Sequence, residues 1–577
     1  MDMEETGARL DASPPRKADD ALAAVRALER AGRLGAAAAR CRALLQDDPG
    51  NGAAWFLLSG VEQRRKRPAA ALEAIERAVE CDAGSAPAWC RRGSILRSLQ
   101  RLEEAAESQR RAIAVDPDYA EAHSNLGNCL YDLGRWAAAA EHYQRAVAIN
   151  PGYVQAHNNL GVALGKLDQD VAALASFHRA LVLKPDYAGA MLNLGEALLK
   201  QNQLAEAEAA LRRAAALAPD SGEAHLQLAA ALLRMERADA AEPSLQRAIA
   251  LVPGHAEAEF DLALLLLSQG RFAEGWKHYE ARWRLRENAN NPTARQMRRS
   301  VTPWAGEPLD GKAILIQDEQ GLGDTIQFCR YVPLLAERGA KVTFLATRSL
   351  VRLLSPIAAV AEVAARVEVD RPFDYRAALL GLPRIFGTGL DSVPRTEGPY
   401  LRAEPDRVDA WRARIGTGGF RIAVCWQGNP NVRVDRGRSI PLGAFAPLAS
   451  LPGVRLISVQ KRYGLEQLDH LPSGMRVETL GPDFDQGRDA FLDTAAVMAS
   501  CDLVVTSDTS VAHLAGALDR PTWLGLSTTA DWRWLRQRRD SPWYRSMTLF
   551  RQREAGDWST VFAEMADSLG GILGAKA

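Results

Sequence analysis

Two short stretches hold residue types at a spacing that could bind and process an anionic substrate. The first, Gly321-Leu322-Gly323-Asp324-Thr325, follows the apolar run Ala313–Gln317 and opens an amphipathic segment. Glycines allow a tight turn and close backbone approach by a ligand, and a helix N-terminus favours anions. The pattern is not G-x-G-x-x-G and holds no phosphate-loop lysine, so neither nicotinamide nor ATP chemistry is indicated. Asp324 would stand on a loop at the carboxyl edge of a sheet, where open α/β folds bind substrates. Its structural alternative is a cap for the helix that Thr325 opens. The second stretch, Ser507–Leu518, repeats the arrangement: a strand ends, Thr509 and Ser510 offer hydroxyls and backbone N–H groups, and a helix begins. That suits a diphosphate, each dipole contact contributing roughly 0.3–1 kcal/mol. His513, one turn into the helix, either reaches the same ligand or packs as an ordinary helix histidine.

The elements that would position these stretches follow an α/β grammar. Ala313–Gln317 and Lys341–Ala346 are short buried strands flanking a glycine turn and a helix, and another helix is expected near Ser349–Leu354. The rhythm restarts with strands at Arg421–Trp426, Val454–Gln460, Cys501–Asp508 and Pro521–Leu526. Two such sheets make two Rossmann-like halves facing a cleft. Between them, Trp426–Leu442 starts at a strand end and is rich in Gly, Asn and Arg; Arg433 and Arg436 read as solvated charges. Arg suits phosphate because its planar fork bonds two oxygens.

These motifs resemble those of glycosyltransferases of the GT-B fold, in particular the ADP-heptose:lipopolysaccharide heptosyltransferases. The resemblance rests on Gly323-Asp324 after the first strand and Asp508-Thr509…His513-Leu514 near the end, and spans about Ala313 to Leu526. It implies that Asp324 is the base for the acceptor hydroxyl and that Asp508 and Thr509 bind the donor nucleotide-sugar; should Asp324 prove dispensable, Glu319 is the next candidate base. The family carries a basic residue before W-P; Arg438-Ser439-Ile440-Pro441 is the nearest match and lacks the Trp. The donor set is then Gly321, Gly323, Trp426, Gly428, Asn429, Arg438, Ser439, Gln460, Lys461, Asp508, Thr509, Ser510 and His513. The Trp/Arg-rich segment 531–552 either covers the donor or packs the last helix over the cleft.

Ahead of these halves a different order rules. Pro15, Pro49, Pro117, Pro151, Pro185, Pro219 and Pro253 fall on one 34-residue ruler whose single missed mark is Ala83. Small residues recur in phase, as at Ala37, Ala71, Ala105, Ala139, Ala173, Ala207 and Ala241. This is the tetratricopeptide period, and stacked units leave a long concave groove. One groove position reads Asn125, Asn159, Asn193, Gln227; amides there could hold an acceptor peptide backbone, because an amide both donates and accepts. Protein O-GlcNAc transferases, which the overall layout resembles, use such a ladder. The alternative is that the amides are repeat consensus residues. The aromatic run Gly275–Leu285 is expected to dock the array's end on the next domain.

The expected fold is thus an all-α tetratricopeptide solenoid followed by an α/β GT-B-like domain of two Rossmann-like halves. Boundaries are set at a disordered tail 1–17, eight repeats 18–289, a linker 290–311, an acceptor-side half 312–405 and a donor-side half 406–577. A fragment from about Asn290 to Ala577 should then bind nucleotide alone. With 71 basic and 71 acidic residues, the 577-residue chain offers no electrostatic case for nucleic acid or a membrane surface. Seven scattered cysteines without a C-x-x-C pair indicate reduced cytosol, and no apolar run is long enough for a membrane span. His470 and His513 have no Cys or His companions, so no metal and no cofactor are expected. The reading is an inverting, metal-independent, cytoplasmic glycosyltransferase acting on a protein hydroxyl. The alternatives are a repeat scaffold with a decayed transferase, or an enzyme acting on a cell-envelope glycan.

Overall fold

The computed structural model describes residues 15–288, 301–355, 357, 362–367, 372–394, 397–430 and 437–576. Arg433, Arg436 and the expected tail up to residue 14 lie outside them; Pro15–Lys17 open the first helix, Pro15–Arg30. The chain forms two compact units divided between Ser244 and Leu245.

The first unit is a run of helical hairpins whose in-phase small residues have a steric cause. A Cβ on Gly127 would lie 2.7 Å from Tyr143, on Gly161 2.5 Å from Phe177, and on Gly195 2.4 Å from Leu211. Each glycine therefore admits a large side chain from the second helix of its hairpin. The in-phase alanines Ala37, Ala71, Ala105, Ala139, Ala173, Ala207 and Ala241 are all buried. Every hairpin turns through one left-handed residue on the same period: Gly32, Lys66, Gln100, Gly134, Asp168, Asn202 and Glu236, with φ from 56° to 74°.

The groove amides are less open than a free peptide-binding ladder would be. Asn159 Nδ2 donates to Asn128 Oδ1 (3.0 Å) and Asn193 Nδ2 to Asn158 Oδ1 (2.9 Å), each reaching the preceding repeat. Asn125 Nδ2 reaches Cys90 Sγ (3.3 Å) and Ser94 Oγ (3.4 Å), and Gln227 bonds Glu223 in its own helix (2.8 Å). All four are half-buried; the three asparagines stitch neighbouring repeats together, whereas Gln227 stays within its own helix.

The second unit opens with the last hairpin, helices Ala256–Ser268 and Phe272–Tyr279, followed by a 3₁₀ turn over Glu280–Arg284. Two all-parallel sheets follow. The first has the order β1-β5-β2-β3-β4, with β1 Thr302–Pro303, β2 Ala313–Gln317, β3 Lys341–Leu345, β4 Glu362–Ala364 and β5 Tyr375–Ala378. Residues 301–311, expected as linker, supply edge strand β1 and bury Trp304 and Leu309. The second has the order β11-β10-β9-β6-β7-β8, with β6 Phe420–Cys425, β7 Val454–Ser458, β8 Val477–Glu478, β9 Leu503–Ser507, β10 Thr522–Leu526 and β11 Met547–Arg551. The order reverses between β6 and β9, which opens a crevice at their carboxyl ends. One apolar core runs from the hairpin (Phe272, Trp276, Tyr279) through the first sheet (Ile316, Phe344) to the second half (Val504, Trp532, Trp543). The far face of the second sheet is closed by helix Trp558–Lys576 through Phe562 and Met565.

Six of the seven cysteines are buried and Cys81 alone is exposed. Burial pushes the thiols of Cys41, Cys90, Cys129 and Cys425 up to about 11, and those of Cys329 and Cys501 up to about 12. Among the described residues, no helix is long and apolar enough to cross a membrane.

Candidate active site

A cavity of about 530 Å³ lies at the carboxyl ends of β6, β7 and β9. Gly428, Asn429, Gln460, Lys461, Thr509 and Ser510 line it, and Leu322 and Ser349 of the first half close one side. Thr509 caps helix Ser510–Ala517 by accepting from Val511 N–H (3.3 Å), so the helix presents its positive end to the cavity. Gln460 shapes the wall. Its Oε1 takes the N–H groups of Trp426 (2.9 Å) and Gln427 (3.0 Å), while its Nε2 donates to the carbonyls of Gln427 and Tyr463, both at 2.8 Å. Lys461 Nζ is hydrogen-bonded to the Phe484 carbonyl. Trp426 is placed elsewhere: its indole is fully buried in the sheet's far core, with Nε1 donating to Gly464 O (3.0 Å).

The charged site residues meet in an ionic cluster in which Asp508 and Arg533 are buried and Asp324, Arg438 and Asp531 half-buried. Asp324 sits in the first turn of helix Leu322–Phe328, where its Oδ2 accepts from Gly321 N–H (2.9 Å). Its Oδ1 is paired with Arg533 Nη2. Arg533 also holds Asp531 through Nη1 (2.8 Å) and Gln327 Oε1 through Nε (2.7 Å). Arg438 Nη2 pairs with Asp508 (2.7 Å) and lies 3.5 Å from Asp531. Ser439 follows, half-buried. Two guanidinium groups and three carboxylates thus share one pocket, with Asp531 between the arginines.

Burial dominates the titration of these groups. It raises Asp324 above the ordinary carboxylate value, with Arg533 pulling the other way. It raises Asp508 likewise, against Arg438. At Asp531 burial also pushes upward, but Arg533 and Arg438 outweigh it and hold that carboxyl below its usual value.

Gly323 has a role the motif alone did not disclose. A Cβ there would come 2.8 Å from His513 Cδ2 and 3.3 Å from Ser510 Cα. The glycine lets helix Leu322–Phe328 of the first half lie directly on helix Ser510–Ala517 of the second, which brings Asp324 beside the Asp508 strand end. Within the protein, Gly323 thus serves helix packing and the Gly321 N–H holds Asp324. His513 is locked in this contact, with Nδ1 2.9 Å from the Tyr544 hydroxyl and its ring stacked on Trp534 at 5.3 Å. Burial, reinforced by Arg533, keeps it neutral, its basicity well below normal.

Three functional features escaped the sequence reading. Arg533 and Asp531 sit in the segment 531–552, which buries Trp532, Trp534, Trp543 and Tyr544, ends in β11, and meets the last helix through the Arg539–Glu564 ion pair (2.6 Å) and Phe550. Glu319 is not available as a base, because Arg282 grips both its oxygens (2.9 and 3.0 Å) and both side chains are 2% exposed. The density of Arg and Trp in 531–552 was the only signal for the first two, and Arg282 lies in the run read as a docking surface.

Comparison with known proteins finds likeness in both parts of the chain. Tetratricopeptide-repeat profiles match residues 28–89, 90–154, 171–249 and 226–290. Residues 451–554, which include Asp508, Asp531 and Arg533, match glycosyltransferase family 9 (heptosyltransferase). Protein FlbA of Caulobacter vibrioides is 27% identical over 329 residues, covering 52% of this chain and 53% of that protein. The chain thus aligns with about half the length of that relative. Among solved structures, YrrB, described as a TPR protein with an unusual peptide-binding site, is 24% identical, with a TM-score of 0.29, over 32% of this chain and 96% of its own. Pseudomonas aeruginosa PilF is 21% identical, with a TM-score of 0.34, over 37% and 96%. The chain thus joins a stretch matched by tetratricopeptide-repeat profiles to a stretch, residues 451–554, that is similar to glycosyltransferase family 9 (heptosyltransferase).

Proposed function

We propose that the enzyme moves a sugar from a nucleoside-diphosphate donor to a protein hydroxyl presented by the repeats, with inversion at the anomeric carbon and without a metal ion. One observation carries this reading: Asp324 of the first half and Asp508 of the second converge on Arg533 and Arg438, beside a cavity capped by a helix N-terminus. The diphosphate occupies the Thr509–Ser510 end of the cavity, where the helix dipole and Arg438 oppose its charge. In place of a metal, the helix N-terminus opposes the diphosphate charge, and Arg438 and Arg533, each already paired with carboxylates, contribute through their remaining N–H donors. Asp324 takes the acceptor proton as the hydroxyl oxygen attacks C1; the C1–O bond to the diphosphate breaks, and the leaving group departs with the electron pair. An ordinary Asp titrates near ~3.9, too low for an efficient base at neutral pH, and burial moves Asp324 in the useful direction. Oδ1 and Oδ2 are engaged by Arg533 and Gly321, yet each carboxylate oxygen keeps a second lone pair for the acceptor.

The test is incubation with a panel of nucleotide sugars, reading thermal shift and slow donor hydrolysis, followed by Asp324→Asn with the donor that binds. The variant should keep nucleotide affinity and lose transfer by about 10²–10⁴-fold, the usual share of a general base. Near-normal transfer by Asp324→Asn would remove the base assignment.

A further inference from the structure

Arg533 owes its position to residues that belong to the last repeat. The Trp532 ring, next to it in sequence, lies 5.4 Å from Trp276, 6.2 Å from Tyr279 and 6.4 Å from Phe272, centroid to centroid. The Arg533 guanidinium rests over Trp532 at 4.4 Å and over Phe328 at 5.7 Å. The same hairpin holds the loop that delivers Asp324. Arg282 forks onto Glu319, Glu319 in turn accepts from Leu380 N–H (3.0 Å), and Gln320 Nε2 donates to the Tyr279 hydroxyl (3.2 Å). Trp276 Nε1 fixes the hairpin to the first half by donating to Thr388 O (2.9 Å).

We infer that the last repeat hairpin is part of the catalytic machinery, with Trp276, Tyr279 and Arg282 acting as positioning residues that hold Arg533 and the Asp324 loop together. The inference rests on the role given to Asp324 above. Phosphate-contacting and base residues come from the two Rossmann-like halves, and their register across the cleft is set from outside both. A repeat that binds nothing at the reacting centre thereby fixes the charge partner of the base.

The consequence is electrostatic. The groups facing Asp324 are Arg533 and Asp531 from the 531–552 segment, Arg438 after β6 and Tyr279 from the hairpin; neutral His513 of helix Ser510–Ala517 packs on the adjacent Gly323. Arg533 makes the direct pair and favours the carboxylate. If the hairpin loosens and Arg533 drifts, Asp324 loses that support and its titration moves to higher pH; the acid limb of the transfer rate follows it upward.

The experiment uses the full chain labelled with ¹³Cγ-aspartate, with the Asp324 resonance assigned by its loss in Asp324→Asn. In Trp276→Leu, the Asp324 midpoint should rise by about one pH unit. The acid limb of kcat/KM should rise with it, and nucleoside diphosphate affinity should stay within about twofold, since the Thr509–Ser510 cavity is untouched. If Trp276→Leu does not fold, Trp276→Phe, which keeps a ring but loses the Thr388 bond, should show a smaller shift in the same direction. An Asp324 midpoint that stays put in a folded variant overturns the inference, and so does a loss of rate that merely tracks the unfolded fraction. A moved midpoint with an unmoved rate profile supports the hold on Asp324 and overturns its role as base.

Discussion

Cutting the chain at Asn290, where the repeat period ends, should destroy the fold of the two-sheet unit, whereas cutting at Leu245 should spare it. The first cut removes Phe272, Trp276, Tyr279 and Arg282, all within the core shared with both sheets or ion-paired inside it. Loss of Arg282 leaves Glu319 buried without its partner, and breaking such a pair from one side costs about 3–5 kcal/mol. Truncating a buried Phe or Trp to Ala costs about 3–5 kcal/mol, and three aromatic side chains go at once. These effects are not additive, but even half their sum reaches the ~5–15 kcal/mol that holds a whole domain together. The fragment from Asn290 should therefore be soluble only as an aggregate or a loosely packed species. The fragment from Leu245, which keeps the hairpin, should unfold cooperatively and bind nucleoside diphosphate. Urea unfolding followed by near-ultraviolet circular dichroism, with calorimetric nucleotide titration of both fragments, makes the comparison. A fragment from Asn290 that unfolds cooperatively and binds nucleotide as the full chain does would refute the energetic reasoning.

Gly323→Ala should destabilise the two-sheet unit by about 1–3 kcal/mol, because the new methyl meets His513, which cannot swing away from Tyr544 and Trp534; an unchanged unfolding midpoint would show the helices separate freely. Replacing Asn159 and Asn193 together by Ala should lower the stability of the repeats by about 1–3 kcal/mol, two hydrogen bonds at roughly 0.5–1.5 each, besides any rise in acceptor KM; a rise in KM with an unmoved melt would mean the amides serve the acceptor alone. Donor turnover should survive EDTA, and activity lost to chelation but restored by magnesium or manganese would count against the metal-free cleft.

The repeats and strands were legible because both announce themselves by period. A 34-residue recurrence of small residues can only be a stack of like hairpins, and Val454–Ser458 or Leu503–Ser507 read as strands because they are short apolar runs bounded by turns. Asp324 and Asp508 were legible because each follows a glycine turn or strand end at the sheet's carboxyl edge. What the chain order concealed were pairings set by the tertiary fold. Nothing local says that Arg533 reaches back 209 positions to Asp324, or that Arg282 neutralises Glu319. Strand β11 was hidden because Met547–Arg551 is a short run directly after a stretch dense in tryptophan and arginine, with no glycine or proline immediately on either side to set it off. The left-handed turns at Lys66, Gln100, Asp168, Asn202 and Glu236 were likewise invisible, because only glycine advertises that backbone region.

The cysteine distribution has a practical consequence. Six thiols are buried and hard to ionise, so a thiol-reactive dye at neutral pH has one ready target, Cys81. That residue borders a cavity of about 550 Å³ in the first unit, shared with Phe56, Leu57 and Arg26. The unaltered chain therefore carries its own attachment point for a fluorophore beside that cavity, where binding to the first unit could be watched in real time without engineering a single cysteine.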